Sequence, residues 1–167
     1  MKKLKKEHIL LILVSLAWFL ILSGRYSISA LLVNIENTLN FGDTEAGLAL
    51  SAMWLFYGLM QFPSGIFSDI KGRKITIILS ITIFSFSYLL IGFSFNYLIF
   101  FLSVILLGIG TGGYPTVGIS MITDIFKKNR GKALGIQSSA GSFSGVIPIF
   151  ASLIAAVYDW RLFFFFW

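Results

Sequence analysis

The segment GIFSDIKGRKITI, from Gly65 to Ile77, places a short charged loop between two long apolar runs. Its charges oppose the helix dipoles on either side, because Asp69 ends the preceding run while Arg73 and Lys74 begin the next. An anion is disfavoured at a helix C-terminus and a cation at an N-terminus. The preference of cytoplasmic membrane loops for positive residues explains the two cations but not the aspartate. We therefore expect Asp69 to face a cation or the N-terminus of another helix.

Apolar runs of this kind extend along almost the whole chain. The 167 residues are 57% hydrophobic and only 12% charged, whereas soluble domains average about 25% charged residues. The five complete runs approach or exceed the ~20 residues needed to cross a bilayer, and backbone groups in lipid are satisfied by helices. The sequence predicts an all-α integral membrane protein, one membrane domain over 1–167 with five transmembrane helices and the start of a sixth. The runs are at about 9–33, 44–68, 75–95, 97–123 and 132–157, and the sixth begins at 161–167.

Basic residues are concentrated at alternate ends of these runs. The opposite loops carry a single cation, Arg161. This bias sets the orientation of membrane helices, so we predict a cytoplasmic N-terminus in a cell-membrane protein that crosses the bilayer several times. It also explains the net charge of +6 without a nucleic-acid partner. The basic residues on the predicted cytoplasmic side are Lys2, Lys3, Lys5, Lys6, Lys71, Arg73, Lys74, Lys127, Lys128, Arg130 and Lys132.

The first run contains one charged residue, Arg25, within LILSGRYSISALL. Its guanidinium cannot be deprotonated, and placing it near the bilayer centre costs roughly 2.5–3.5 kcal/mol. In one interpretation the side chain extends outward to the headgroups. In the other it faces a polar cavity. The only acidic residue in any run, Glu45, lies at the end of its run and not at mid-depth, so the counter-charge of Arg25 is an anionic ligand from outside the protein. We favour the second interpretation.

Polar residues at similar depth in the other runs are candidates to line the same cavity. A polar side chain within a membrane helix also commonly bonds a neighbouring helix, and depth alone does not separate the two roles. The candidates for substrate binding beside Arg25 are Tyr57, Thr111, Tyr114, Gln137 and Ser138.

The fourth and fifth runs are rich in glycine and each contains a proline. Small residues at four-residue spacing allow membrane helices to pack closely, which accounts for most of these glycines. Pro115 and Pro148 also favour bending of helices that move during function.

The loop between the second and third runs resembles the signature loop of the major facilitator superfamily. The matching residues are Gly65, Asp69, Gly72, Arg73 and Lys74, at the family's spacing and position. The resemblance implies that this loop closes the cytoplasmic gate. It further implies that the aspartate faces a helix end in a second half of the transporter.

Two further segments resemble the same family. Asp124, followed by Arg130 and Gly131, is similar to the companion motif at the end of the family's fourth helix, and DWRLFF resembles its junction between the fifth and sixth helices. The likeness implies that Arg73 faces Asp124, although charge alone leaves Arg130 as an alternative partner. Because the family has two six-helix halves, it also implies that this chain is a truncated N-terminal half whose C-terminal half is the expected partner.

The segment from Gly24 to Asp69 resembles helices 1 and 2 of the organic-anion and organophosphate branches, in which an arginine of helix 1 binds the charge of the substrate. The resemblance implies secondary active transport of a small organic or phosphorylated anion by alternating access, coupled to a proton or counter-solute. Val104 departs from the family, which often has an arginine four residues before the glycine matching Gly108. The proton-coupling role of that arginine therefore does not carry over.

Other functions remain as alternatives at this stage. The chain is also interpretable as a non-transporting membrane subunit or remnant, or as an exporter of other solutes, although a fixed Arg25 repels cationic drugs. An enzyme is not predicted, because His8 is the only histidine, cysteine is absent and no run carries an acid pair. We expect no catalytic residue, no metal and no cofactor, and the lipid bilayer and a small anion as partners.

Overall fold

The computed structural model describes residues 6–167, and this part of the chain is helical without any strand. The predicted cytoplasmic residues Lys2, Lys3 and Lys5 lie outside the described residues. The helices are α1 Lys6–Leu39, α2 Asp43–Lys71, α3 Arg73–Gly92, α4 Tyr97–Gly112, α5 Tyr114–Ile125, α6 Arg130–Phe143, α7 Ile147–Val157 and α8 Arg161–Phe166.

Two pairs of these helices form continuous spans. The helix α4 continues into α5 through Gly113, whose backbone angles (φ −70°, ψ −19°) are helical. The helix α6 continues into α7 through the 3-10 turn Ser144–Val146. Pro115 and Pro148 lie in the first turns of α5 and α7. Since proline has no N–H, each interrupts the helical hydrogen-bond ladder without ending the span. We therefore refer to six spans. Spans 1, 2 and 3 are α1, α2 and α3, span 4 is Tyr97–Ile125, span 5 is Arg130–Val157, and span 6 is α8.

The helix ends differ in places from the predicted runs. The first helix ends at Leu39 rather than near 33, because Leu31, Ile35 and Leu39 continue one buried stripe past the polar residues that suggested a loop. The third ends at Gly92 rather than 95, where the Ser94 hydroxyl and N–H both bond to the Ile91 carbonyl.

Four spans in the described part of the chain are long and apolar enough to cross a membrane by length and composition. Span 2 has 29 residues but is less apolar, since it contains several glycines and serines and Pro63. Its outward face is nevertheless apolar, with Leu55, Leu59, Phe62 and Ile66 exposed. The structure therefore confirms the predicted all-α membrane class, with span 2 the least apolar of the long helices. The four spans are Lys6–Leu39, Arg73–Gly92, Tyr97–Ile125 and Arg130–Val157.

Glycines hold span 4 against spans 2 and 3. A Cβ atom added at Gly108 would overlap the Met53 carbonyl oxygen of span 2, and one at Gly110 would lie 2.6 Å from the Phe84 backbone nitrogen of span 3. The backbones are therefore in direct contact, which is the close packing that small residues permit in membrane helices. This contact fixes the rotation of span 2 relative to span 4.

The end of the bundle opposite the basic loops is joined by side chains of the DWRLFF segment. The Trp160 indole N–H donates to the Thr38 hydroxyl at 3.0 Å, and Arg161 donates to the Ser94 carbonyl at 2.9 Å. Arg161 also pairs with Asp159 at 3.3 Å and lies over the Trp160 ring. These bonds connect the ends of spans 1, 3 and 6.

Candidate functional site

Arg25 lies inside the protein, against two aromatic rings of span 2. The residue is 4% exposed, and its guanidinium carbon lies 4.3 Å from the ring centroids of both Trp54 and Tyr57. The two rings are 5.8 Å apart at an interplanar angle of 83°, so they form two walls around the cation. Residues three apart on a helix share one face, which explains why both reach the same side chain. We call this group (Arg25, Trp54 and Tyr57) the arginine corner.

Within residues 6–167 the guanidinium of Arg25 has no counter-charge. Its Nε and Nη1 atoms are buried and lack a hydrogen-bond partner among the described residues. All seven acidic residues of the chain lie within this described part, and the salt bridges they form there go to Arg73 and Arg161. Cation–π contact recovers only about 2 kcal/mol when desolvated, less than the cost of burying an unpaired charge. The side chain does not extend outward as the headgroup interpretation required.

Trp54 was missed by the sequence interpretation, which selected polar residues by depth. Its side chain is 48% exposed although one face covers Arg25. The sequence did contain a clue to Trp54, because it lies three residues before Tyr57 and therefore on the same face of the helix.

Tyr114 connects span 4 to span 1. It is completely buried, and its hydroxyl donates to the Val14 carbonyl. Its ring stacks on Trp18, with centroids 5.8 Å apart and planes at 12°. Tyr114 therefore holds Trp18 in position, and Trp18 is a second aromatic residue that the depth criterion overlooked.

A cavity of about 190 Å³ lies beside Trp18, and we call it the neutral cavity. Gln137 is buried at its wall and Ser138 is exposed beside it, while the remaining lining is apolar or aromatic. The lining residues are Trp18, Pro115, Ile119, Leu134, Gln137 and Ser138, none of them charged.

The structure separates the predicted substrate-binding residues into two groups. Tyr57 lies with Arg25 in the arginine corner, while Gln137 and Ser138 line the neutral cavity next to the Trp18–Tyr114 stack. Thr111 belongs to neither, because its hydroxyl donates to the Leu107 and Gly108 carbonyls of its own helix at 2.8 and 3.2 Å.

The charged loop between spans 2 and 3 forms one ion pair. Arg73 Nη1 lies 2.6 Å from Asp124 Oδ2, which joins the start of span 3 to the end of span 4. Arg130, the alternative partner of Asp124, is exposed at the start of span 5 and forms no salt bridge with the described residues. With side chains 28% and 60% exposed, the Arg73–Asp124 pair contributes about 0–1 kcal/mol to stability.

Gly72 permits the abrupt turn of this loop. Its φ of +92° is a left-handed conformation that favours glycine, and its N–H donates to the Ser68 carbonyl at 2.9 Å. Asp69 and Lys74 are both exposed, and Asp69 has no partner among residues 6–167. A Cβ atom at Gly65 would lie 3.6 Å from Thr116, an ordinary contact, so the available space does not require glycine there.

The fold and the arginine corner define a multi-span helical membrane protein whose core holds an unneutralised cation. The sequence profile of the Major Facilitator Superfamily matches residues 14–167. The chain belongs to the Major Facilitator Superfamily and is a multi-pass protein of the cell membrane.

Two relatives of the chain are described as probable transporters. It is 31% identical over 140 residues to a probable L-galactonate transporter of Escherichia coli, covering 82% of this chain and 31% of the relative. It is 31% identical over 163 residues to a probable sulfoacetate transporter of Cupriavidus necator, covering 96% and 38%. The chain thus spans about a third of the length of these relatives.

A solved structure shows the same fold. A bacterial homologue of the human lysosomal transporter Spinster, in an inward-facing and unoccupied conformation, superposes with a TM-score of 0.84 at 24% identity. The superposition covers 97% of this chain and 40% of the homologue.

Proposed function

We propose that this chain forms the amino-terminal part of a secondary transporter for small organic or phosphorylated anions, working by alternating access. The observation that carries the proposal is the buried guanidinium of Arg25, which has no acidic partner in the described structure. A permanent cation in a desolvated site is stabilised by a visiting anion, and the planar fork of arginine suits carboxylate and phosphate groups.

The relatives support this class of cargo. The names of two relatives refer to L-galactonate, a carboxylate, and to sulfoacetate, which carries a sulfonate and a carboxylate. A fixed cation at the binding site favours such solutes and repels cationic ones. Arg25 is thus the proposed anion-binding residue, with Tyr57 and Trp54 positioning it.

The transport cycle requires more than this chain. In secondary transporters the substrate binds near the membrane midplane between two repeats, and one bundle rocks against the other. We propose that the Arg73–Asp124 ion pair holds spans 3 and 4 together on the cytoplasmic side, while the exposed Asp69 pairs with a second half of the transporter. The proton-coupling role of the family's helix-4 arginine is not assigned to Val104, because this buried side chain carries no charge.

The proposed function is tested by binding to the chain assembled with a second six-helix half in lipid nanodiscs. Isothermal titration calorimetry would compare a six-carbon sugar acid with the uncharged sugar of the same carbon skeleton. We expect the acid to bind and the sugar not to bind, because only the acid supplies a counter-charge for Arg25. Equal binding of the two, or binding of neither, would refute the anion assignment and favour a non-transporting subunit or an exporter of other solutes.

Replacing Asp69 by asparagine tests the gate. In proteoliposomes that contain the chain assembled with a second six-helix half, we expect a several-fold slower turnover with an unchanged dissociation constant. The carboxylate is exposed and lies on the same helix as Tyr57, about 18 Å further along its axis, so its loss affects closure rather than binding. Asp43→Asn, an exposed acid at the opposite end of the same helix, is the matched control and should have no effect. A large loss of affinity at normal turnover would contradict the gate role.

A further inference from the structure

We propose that the neutral cavity is a second subsite, which binds the uncharged, hydroxylated end of an anion whose carboxylate lies on Arg25. The cargo would then be an elongated polyhydroxy monocarboxylate rather than a short anion. This inference rests on the proposed function, since it takes Arg25 as the group that holds the charged end.

The chemistry of the cavity wall fits a polyol and not a second charge. Trp18, Pro115, Ile119 and Leu134 supply an apolar and aromatic surface, and none of the lining residues is charged. A carboxylate or phosphate in this cavity would be desolvated without a counter-ion, which is strongly unfavourable. The cavity therefore selects an uncharged group.

The polar lining residues match hydroxyl groups. The Gln137 amide both donates and accepts hydrogen bonds, as does the Ser138 hydroxyl, so each can pair with a hydroxyl in either direction. The flat face of the Trp18 indole offers an apolar surface for the C–H groups of a carbon chain. Alternating C–H and hydroxyl groups are what an acyclic or cyclic sugar acid presents.

The spacing of the two sites sets the length of the cargo. Trp18 and Arg25 are seven residues apart on one helix, which is two turns or roughly 10 Å along its axis. Long side chains on a helix lean toward its N-terminus, and because this applies to both residues, the two side chains keep this separation along the axis. A six-carbon acid, with five carbon–carbon bonds of about 1.5 Å each, covers most of this distance, whereas a two-carbon acid occupies the arginine corner alone.

Gly141 of span 5 allows the indole to take this position. A Cβ atom added there would lie 2.5 Å from Trp18 Nε1, 2.9 Å from its Cδ1 and 3.0 Å from Leu22 Cδ1. Alanine at this position must therefore displace the Trp18 ring without removing it. Gly135, on the same helix, has nothing within 4 Å of an added Cβ atom, so its alanine variant is a matched control.

The test is calorimetric titration, in nanodiscs, of the full chain assembled with a second six-helix half. Two acids are compared, a six-carbon aldonate and the two-carbon hydroxy acid glycolate. We expect Trp18→Leu and Gly141→Ala each to weaken aldonate binding by about tenfold or more, because the aromatic contact is lost or displaced. Glycolate binding should be unchanged in both variants, and the control Gly135→Ala should leave the binding of both acids unchanged.

The possible outcomes separate the subsite from the proposed function. Binding of both acids by the native chain, with aldonate affinity unaffected in the two variants, would overturn the subsite alone. The same conclusion follows if the Gly141→Ala variant, which retains the indole, binds both acids more weakly by the same factor. Binding of neither acid by the native chain would overturn the subsite and the anion-transport proposal together.

Discussion

Replacement of Arg25 by leucine is expected to abolish the binding of organic anions, and replacement by lysine is expected to weaken it. Leucine removes the charge, and losing one partner of a desolvated, charge-assisted contact raises the dissociation constant by roughly 100-fold or more. Lysine keeps the charge but lacks the planar fork that stacks between Trp54 and Tyr57 at 4.3 Å from each ring. We expect a loss of about tenfold for lysine.

Thermal stability distinguishes this effect from misfolding. Arg25 is buried with two nitrogens unpartnered among the described residues, so leucine relieves an uncompensated charge and should leave the chain as stable as before or more so. The control is Arg130→Leu, which removes an exposed arginine that forms no salt bridge in the described structure. In nanodiscs, calorimetry measures anion binding and thermal unfolding measures the stability of each variant. Unchanged binding in both Arg25 variants would remove this residue from the site.

The second large effect is expected at Gly112, where alanine should both destabilise the chain and weaken anion binding. A Cβ atom there would overlap the Tyr57 carbonyl oxygen and lie 2.9 Å from the Tyr57 Cα atom, so spans 2 and 4 must separate. Overpacking of this kind typically costs about 1–3 kcal/mol. Since Tyr57 is one wall of the arginine corner, its displacement also exposes the guanidinium on one side.

Gly58 provides the comparison for Gly112. It follows Tyr57 directly in the chain, and an added Cβ atom would have nothing within 4 Å, so Gly58→Ala should be nearly neutral. Thermal unfolding of the two variants in nanodiscs, followed by titration with the sugar acid, measures the difference. Equal stability of the two variants would show that spans 2 and 4 are not in the close backbone contact described here.

The fold class was predictable because hydropathy and loop charge are local properties of the sequence. Long apolar runs imply helices wherever backbone groups cannot bond water, and this prediction is confirmed. The extent of span 1 was not predictable in the same way. Asn34 and Glu36 suggested a loop, whereas tertiary burial of Ile35 and Leu39 keeps the chain helical through them.

The candidate site was only partly accessible from the sequence. Arg25 could be selected because a charge in an apolar run is rare, but depth alone does not give the rotation of a helix about its axis. Thr111 illustrates this limit. Its hydroxyl bonds to the backbone of its own helix, as threonine hydroxyls in helices commonly do. Trp18 and Trp54 were missed because an aromatic residue in a membrane span resembles ordinary packing.

The ion pair of the charged loop illustrates a similar limit. Charge alone offered Asp124 two partners, Arg73 and Arg130, and only the placement of spans 3 and 4 side by side selects Arg73. The role of Asp69 stays a prediction, since it forms no salt bridge with residues 6–167.

The most direct measurement of the central claim is a solved structure of the chain with a bound six-carbon sugar acid. A carboxylate oxygen should lie at a charge-assisted hydrogen-bond distance of about 2.7–2.9 Å from a guanidinium nitrogen of Arg25, with the cation still held by Trp54 and Tyr57. An acid bound elsewhere, with Arg25 contacting only the two rings, would contradict the assignment of this residue as the anion-binding group.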